Sequence, residues 1–280
     1  MRSKIFLDSG DPKETREIIS LLGFLDGQTT NPTLIAKNPK AQKRLAEGKK
    51  FTSEEIWDFY RGVVGEISGL IPRGSVSIEV YADADTTAKT ILRQARELNR
   101  WIPNAHIKLP ITHVGLASAQ QLVSEGIRVN MTLCFSQEQA AAVHAATRGA
   151  KKGDVFVSPF VGRLDDIGEN GMDLIKNIRK MYDEAGSHVE VLAASIRSMD
   201  HFLTSFDYNA DIVTAPSKIL KEWTACRCQT SAGSRTSTGL KSIPYRQLDL
   251  SKHWRDFDIS HPLTDKGIEK FAADWNALIK

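Results

Sequence analysis

The chain alternates between short apolar runs and longer segments whose apolar positions recur every three or four residues. The short runs predict strands, and the longer segments predict amphipathic helices. Residues 4 to 8 form the first strand, ending at Asp8. Asp11, Pro12 and Glu14 then mark a helix start, with Ile18, Ile19 and Leu22 as its apolar face. Gly27 to Asn31 reads as a second strand running into Pro32. A lysine-rich helical stretch follows to about Gly48, and Thr52 with Glu55 caps a helix ending near Gly69. Further strands are predicted at Val76–Val80, Ile107–Leu109, Ile127–Leu133, Val155–Ser158, Val189–Ser195 and Ile212–Thr214. The helices between them run over Asp85–Arg100, Val114–Glu125, a segment capped by Ser136 and Gln139, Gly171–Ala185 and Met199–Phe206. One more starts at Pro216.

Eight strands, each followed by one helix or more, imply a parallel sheet, and this number in one unbroken chain favours a closed (β/α)8 barrel. The alternative is an open doubly wound sheet, which often carries a glycine-rich dinucleotide turn after its first strand. Neither G-x-G-x-x-G nor G-x-x-x-x-G-K-[ST] occurs. The expected organisation is one α/β domain over residues 1–280 with additional helices. Its irregular segment, about 225–250, includes Cys226-Arg-Cys228, a pair with no further cysteines nearby and therefore a poor metal site. A final helix over Thr264–Ile279 presents Ile268, Phe271, Trp275 and Ile279 as a stripe that packs the tail against the body.

Composition narrows the function classes. There are 37 basic and 34 acidic side chains, a net charge of +3, so no bulk field points to nucleic acid. Without an apolar run of about 18 residues, no membrane partner is expected, and the acidic N-terminal stretch lacks a secretory pattern. Three cysteines do not make a disulfide framework, which suits a reducing, cytoplasmic compartment. A homo-oligomer is compatible with all of this.

In a barrel, residues of one parity face the helices and the others face the axis. With Val76, Ile78 and Val80 outward, Ser77 and Glu79 point inward; with Ile127, Val129 and Met131 outward, Arg128, Asn130 and Thr132 point inward. The same rule turns Ser158 and Lys108 to the axis. Asp8, Thr29, Asn31 and Ser195 stand at other strand ends, and Arg163 and Arg197 follow the sixth and seventh strands. Each has a structural reading, as a helix cap, a loop contact or a surface ion pair. Lys108, set in Ile107-Lys108-Leu109, could likewise lay its stem on apolar surface and reach water. Polar residues converging from seven strand ends around one lysine point instead to a site. An ammonium in apolar surroundings is poorly solvated, which favours the neutral amine able to attack a carbonyl. Asp8 and Glu79 supply two carboxylates for proton transfer, with Thr132 or a water as relay, and the two arginines suit a phosphate.

These residues lie in Leu7-Asp8, Thr29-Thr30-Asn31-Pro32-Thr33-Leu34, Ile78-Glu79-Val80, Ile107-Lys108-Leu109, Asn130-Met131-Thr132-Leu133, Ser158-Pro159-Phe160-Val161-Gly162-Arg163 and Ala194-Ser195-Ile196-Arg197. Together they resemble the transaldolase family, as does the tail from Leu263 to Trp275. The resemblance implies a class I barrel enzyme without metal or organic cofactor, acting on small-molecule sugar phosphates. It would move a dihydroxyacetone unit from sedoheptulose 7-phosphate or fructose 6-phosphate to glyceraldehyde 3-phosphate or erythrose 4-phosphate. By the resemblance Lys108 carries the Schiff base, Asp8 acts on the C4 hydroxyl, and Glu79 with Thr132 handles a water. Asn31 would hold the three-carbon enamine, Thr29 and Ser158 would line the site, and Asn130, Arg163, Ser195 and Arg197 would bind substrate and phosphate. Related aldolases that release free dihydroxyacetone tend to carry glutamine in place of Glu79 and tyrosine in place of Phe160, so both positions here are of the transferring type. The chain departs from the family at Ile196, where an aromatic is usual, and around Cys226–Thr238. That aldolase activity, or a sugar-phosphate-binding barrel without catalysis, is the rival reading.

Overall fold

A computed structural model describes residues 3–226 and 239–280. Eight parallel strands close into a barrel in chain order, β8 returning to β1. They are β1 (Lys4–Asp8), β2 (Gly27–Thr29), β3 (Ser75–Glu79), β4 (Ala105–Pro110), β5 (Val129–Cys134), β6 (Val155–Pro159), β7 (Glu190–Ala193) and β8 (Ile212–Ala215). Between β1 and β4 the chain forms α1 (Pro12–Leu22), α2 (Pro32–Ala36), α3 (Pro39–Ala46), α4 (Ser53–Leu70) and α5 (Ala88–Asn99). The remaining helices are α6 (His113–Ser124), α7 (Gln137–Ala146), α8 (Val161–Asp165), α9 (Gly171–Ala185), α10 (Met199–Asp207), α11 (Ser217–Ala225) and α12 (Pro262–Asn276). Among the described residues no helix is long and apolar enough to cross a membrane.

The local chemistry sets most of these boundaries. Asp11 accepts a hydrogen bond from the Lys13 N–H at the start of α1, and Thr52 with Glu55 forms a reciprocal capping box at the start of α4. Several edges differ from the pattern-based expectation, each for a visible reason. The helix expected from Asp85 begins at Ala88, because Asp83 and Thr86 bond to each other in a turn and leave Thr87 as the cap. β5 begins at Val129, since the Ile127 N–H closes the end of α6 on Leu122 O. Arg128 therefore precedes the strand, and its guanidinium bonds to Pro103 O instead of entering the barrel. β7 ends before Ser195, whose φ of 58° breaks extended geometry. The last helix starts at Pro262 and stops at Asn276, and Ile279 pairs with Phe51 as an isolated bridge. Of the irregular segment, Ala225, which closes α11, Cys226 and residues 239–250 are described; Cys228 lies outside the described residues.

Register carries the inward residues to one end. Glu79 stands beside Lys108, Lys108 beside Asn130, and Asp8 beside Thr29 across neighbouring strands. The N-terminal half of the barrel is plugged by Phe6, Phe156 and His106, with Phe6 edge-on to Phe156 and the imidazole stacked on it at 4.0 Å. The opposite end is left to polar chemistry. A break in register between Met131 and Cys134, with Leu133 at φ 59°, turns Leu133 O to accept from Thr264 Oγ1 at 3.0 Å. That bond anchors α12 across the mouth.

Candidate active site

Lys108 projects from β4 into the axis, with its side chain only 3% exposed. Its Nζ lies 2.9 Å from Glu79 Oε2 and donates to Thr30 O at 3.1 Å. The ammonium is therefore held by a carboxylate and a carbonyl, not surrounded by apolar groups alone. Glu79 Oε2 is thus paired with the lysine, whereas Thr132 Oγ1 is buried without a hydrogen-bond partner among the described residues. Burial pushes the Glu79 carboxyl above its ordinary range, with the charge of Lys108 pulling the other way.

The Lys108–Glu79 pair is held by a network that pattern reading did not single out. Tyr60, on the apolar face of α4, accepts from the Glu79 N–H at 3.0 Å and shares a hydrogen bond with Thr30 Oγ1 at 2.6 Å. Thr30 Oγ1 also bonds to Ser77 O at 2.7 Å. One phenol thus ties the ends of β2 and β3 to the helix outside them. A tyrosine among the buried residues of an amphipathic helix looks like core packing, and only its partners distinguish it.

A cleft of about 240 Å³ opens above Lys108 and is lined by Asp8, Thr29, Asn31, Ser158, Phe160, Arg163, Ser195 and Arg197 together with that lysine. Nine of the twelve candidates therefore meet at one wall. Asp8 accepts from Thr29 Oγ1 at 2.6 Å, and Thr29 shares a second bond with Thr214 at 2.7 Å. Burial raises the Asp8 pKa, opposed by Lys108 and the Thr29 bond. Asn31 caps α2 through its Oδ1, which accepts from Leu34 N at 2.9 Å, so its NH₂ is the donor left for the cleft.

The other three candidates stand behind that wall. Glu79 and Thr132 are buried, and Asn130 accepts from Ser158 Oγ at 2.6 Å while donating to Ser77 Oγ at 3.0 Å. Asn130 thus orients Ser158, and its amide is engaged with the protein. The two arginines also differ. Arg197 is half exposed and ion-paired with Asp166, whereas Arg163 lies over the rings of Phe160 and Phe271, at 5.2 and 5.3 Å from their centroids.

Residues far apart in sequence complete the mouth. Thr33, Lys37, Thr214, Lys270 and Phe271 also line the cleft. Phe271 belongs to the apolar stripe of α12, so that helix supplies cleft surface as well as packing. Nothing in the tail's periodicity identifies which of its apolar residues reaches the site. With Lys37, Lys108, Arg163, Arg197 and Lys270 around it, the cleft concentrates positive charge on a chain of net charge only +3. The arrangement offers a buried amine, two carboxylates with raised proton affinity and a cationic rim. Those are the parts needed for amine catalysis on an anionic carbonyl compound.

Comparison with known proteins gives the same direction. The sequence profile of the family described as Transaldolase/Fructose-6-phosphate aldolase matches residues 5–280. A protein of Dehalococcoides mccartyi named as a probable transaldolase is 38% identical over 277 residues, covering 99% of this chain and 100% of that one. Proteins of the same name from a Caulobacter species (strain K31) and from Sinorhizobium medicae are each 38% identical over 272 residues, covering 97% of this chain and 96% of theirs. On the match from Ile5 to the last residue and on this identity, the chain belongs to the transaldolase/fructose-6-phosphate aldolase family.

Proposed function

We propose that this protein is a transaldolase that moves a dihydroxyacetone unit from sedoheptulose 7-phosphate or fructose 6-phosphate to glyceraldehyde 3-phosphate or erythrose 4-phosphate. It would work in the cytoplasm, in the pentose phosphate pathway. The observation that carries the reading is the buried Lys108–Glu79 pair, 2.9 Å apart, at the floor of a cationic cleft that also holds Asp8.

Glu79 takes a proton from the Lys108 ammonium, and the amine then attacks C2 of the ketose. The raised proton affinity of Glu79, caused by burial, suits it to that transfer. The resulting carbinolamine loses water, the departing hydroxyl being protonated from Glu79 through a water held by Thr132. Thr132 Oγ1, buried without a hydrogen-bond partner among the described residues, supports this assignment. Asp8 next removes the C4 hydroxyl proton, the C3–C4 bond breaks, and its electron pair moves into the iminium to give an enamine. The aldose phosphate leaves. Asn31 donates to the retained three-carbon unit through its NH₂, while Thr29 and Ser158 shape the cleft around it. The enamine carbon attacks the aldehyde of the acceptor, Asp8 returns the proton to the new hydroxyl, and hydrolysis of the iminium frees Lys108. Arg163 and Arg197, beside Ser195, hold the sugar phosphate so that its reactive end meets the amine.

Borohydride reduction in the presence of fructose 6-phosphate should attach the sugar skeleton to the peptide containing Lys108. The Lys108→Ala variant should give neither adduct nor turnover, and a variant that still turns over sinks the mechanism. The family also includes aldolases that release free dihydroxyacetone. Glu79 and Phe160 favour transfer, and steady turnover that needs an acceptor aldose phosphate separates the two activities. A barrel that only binds sugar phosphates would show affinity with no trapped adduct.

A further inference from the structure

Arg163 differs from Arg197 and Lys270 of the same cleft in what surrounds it. Among the described residues its guanidinium makes no hydrogen bond and no ion pair; what it has is two aromatic rings, Phe160 from the end of β6 and Phe271 from α12. Arg197 is neutralised by Asp166, and Lys270 by Asp274 at 2.5 Å. Gly267, one turn before Phe271, lies directly against the same group: a Cβ there would stand 2.8 Å from Arg163 Nη1 and 2.6 Å from Leu133 Cδ2. Residues four apart share a helix face, so α12 presents a bare backbone and then a ring to one guanidinium. The same face carries Thr264, bonded to Leu133 O and to Gln139, and Asp274, bonded to Thr33. α12 is thus pinned to the barrel on both sides of the Arg163 contact.

We propose that Gly267 and Phe271 are positioning residues for anion binding: α12 sets the plane of the Arg163 guanidinium and keeps its N–H donors free for the phosphate of the sugar. This rests on the sugar-phosphate reading of the cleft. An aromatic face attracts the cation without occupying its in-plane donors, whereas a carboxylate would occupy them and oppose an incoming anion. Holding the fork in one plane before the ligand arrives removes ordering that binding would otherwise have to supply.

The test uses the full chain with Phe271→Leu, Phe271→Tyr and Gly267→Ala, titrated calorimetrically with inorganic phosphate. Phe271→Leu removes the ring face, and Gly267→Ala pushes the guanidinium out of place. Each should weaken phosphate binding by about fivefold to tenfold and raise KM for fructose 6-phosphate by a similar factor, with kcat changed far less. Phe271→Tyr should stay near the parent value. Borohydride trapping of dihydroxyacetone, which has no phosphate, separates an anion effect from general damage: the adduct should form at nearly the parent rate in all three. Unchanged phosphate affinity in Phe271→Leu and Gly267→Ala overturns the proposal, as does an equal loss of dihydroxyacetone trapping, or a parent protein that binds no phosphate. Failure of the Schiff-base reading looks different, since the parent would then give no adduct with either ketone while the phosphate titrations remained readable.

Discussion

The barrel buries polar side chains at both ends of its axis, and the two groups obey different rules. At the N-terminal end His106 has both ring nitrogens engaged, with Ser75 Oγ at 2.7 Å and Gly153 O at 2.9 Å, and its ring is stacked on Phe156. Nearby, Lys4 reaches Glu190 at 2.9 Å from the barrel's outer edge. At the C-terminal end, among the described residues, Thr132 Oγ1 is buried with no hydrogen-bond partner and the Arg163 guanidinium makes no hydrogen bond. A buried polar atom without a partner costs about 1–3 kcal/mol, so its presence calls for an explanation. The lower cluster is complete within the protein, which fits a role in stability. The upper one becomes complete only with something from outside it, as expected where barrels place their chemistry.

The comparison is broken if residues from the two ends respond alike. The largest expected effect is at the top: Glu79→Gln should lower kcat by about 10²–10⁴-fold with the fold retained, and Thr132→Val should lower it by less, both measured in a coupled transfer assay. A Glu79→Gln enzyme of near-normal turnover would remove the proton-transfer role.

At the bottom the effect should be on stability and its pH dependence. Burial lowers the His106 pKa from 6.5 to about 3, so the unfolded chain binds a proton that the folded one refuses. Its contribution is complete above pH 6.5 and is lost as pH falls toward 3, with a slope of up to about 1.4 kcal/mol per pH unit. His106→Gln should flatten urea-midpoint curves between pH 7 and 4 while turnover at pH 8 stays within about twofold of the parent; a parallel curve would contradict this.

Asp8 should behave with the opposite sign. Its carboxyl is raised above the ordinary 3.8 mainly by burial, so its contribution to stability is present below pH 3.8 and lost as pH rises through the folded value. Asp8→Asn should therefore raise Tm at pH 8, with the gain shrinking toward pH 3.8, even as transfer activity falls. A Tm that drops at pH 8 would show that the Lys108 attraction outweighs burial.

Much of this layout was readable before folding. Period-two alternation in Val76–Val80 turned Ser77 and Glu79 inward, and a lysine between Ile107 and Leu109 could be recognised without knowing its neighbours. Strand ends were less legible, because β7 stops where Ser195 adopts a positive φ and α5 starts where an Asp83–Thr86 turn ends, both decided by particular bonds. Asn130 was correctly turned inward by parity, yet its amide serves Ser158 and Ser77, a matter of distances across three strands. Phe271 was visible only as one member of an apolar stripe.

Local pattern thus determined the repeat, the face of each strand and the residue types at the strand ends, since these follow from periodicities of two and 3.6 along the chain. Tertiary structure alone decided that Tyr60 would brace Glu79 against β2, and that a helix beginning at residue 262 would lay a ring against Arg163. Those contacts join positions separated by tens to more than a hundred residues. Nothing in the spacing of a segment records which distant segment will pack against it, because that choice depends on the closure of the whole barrel.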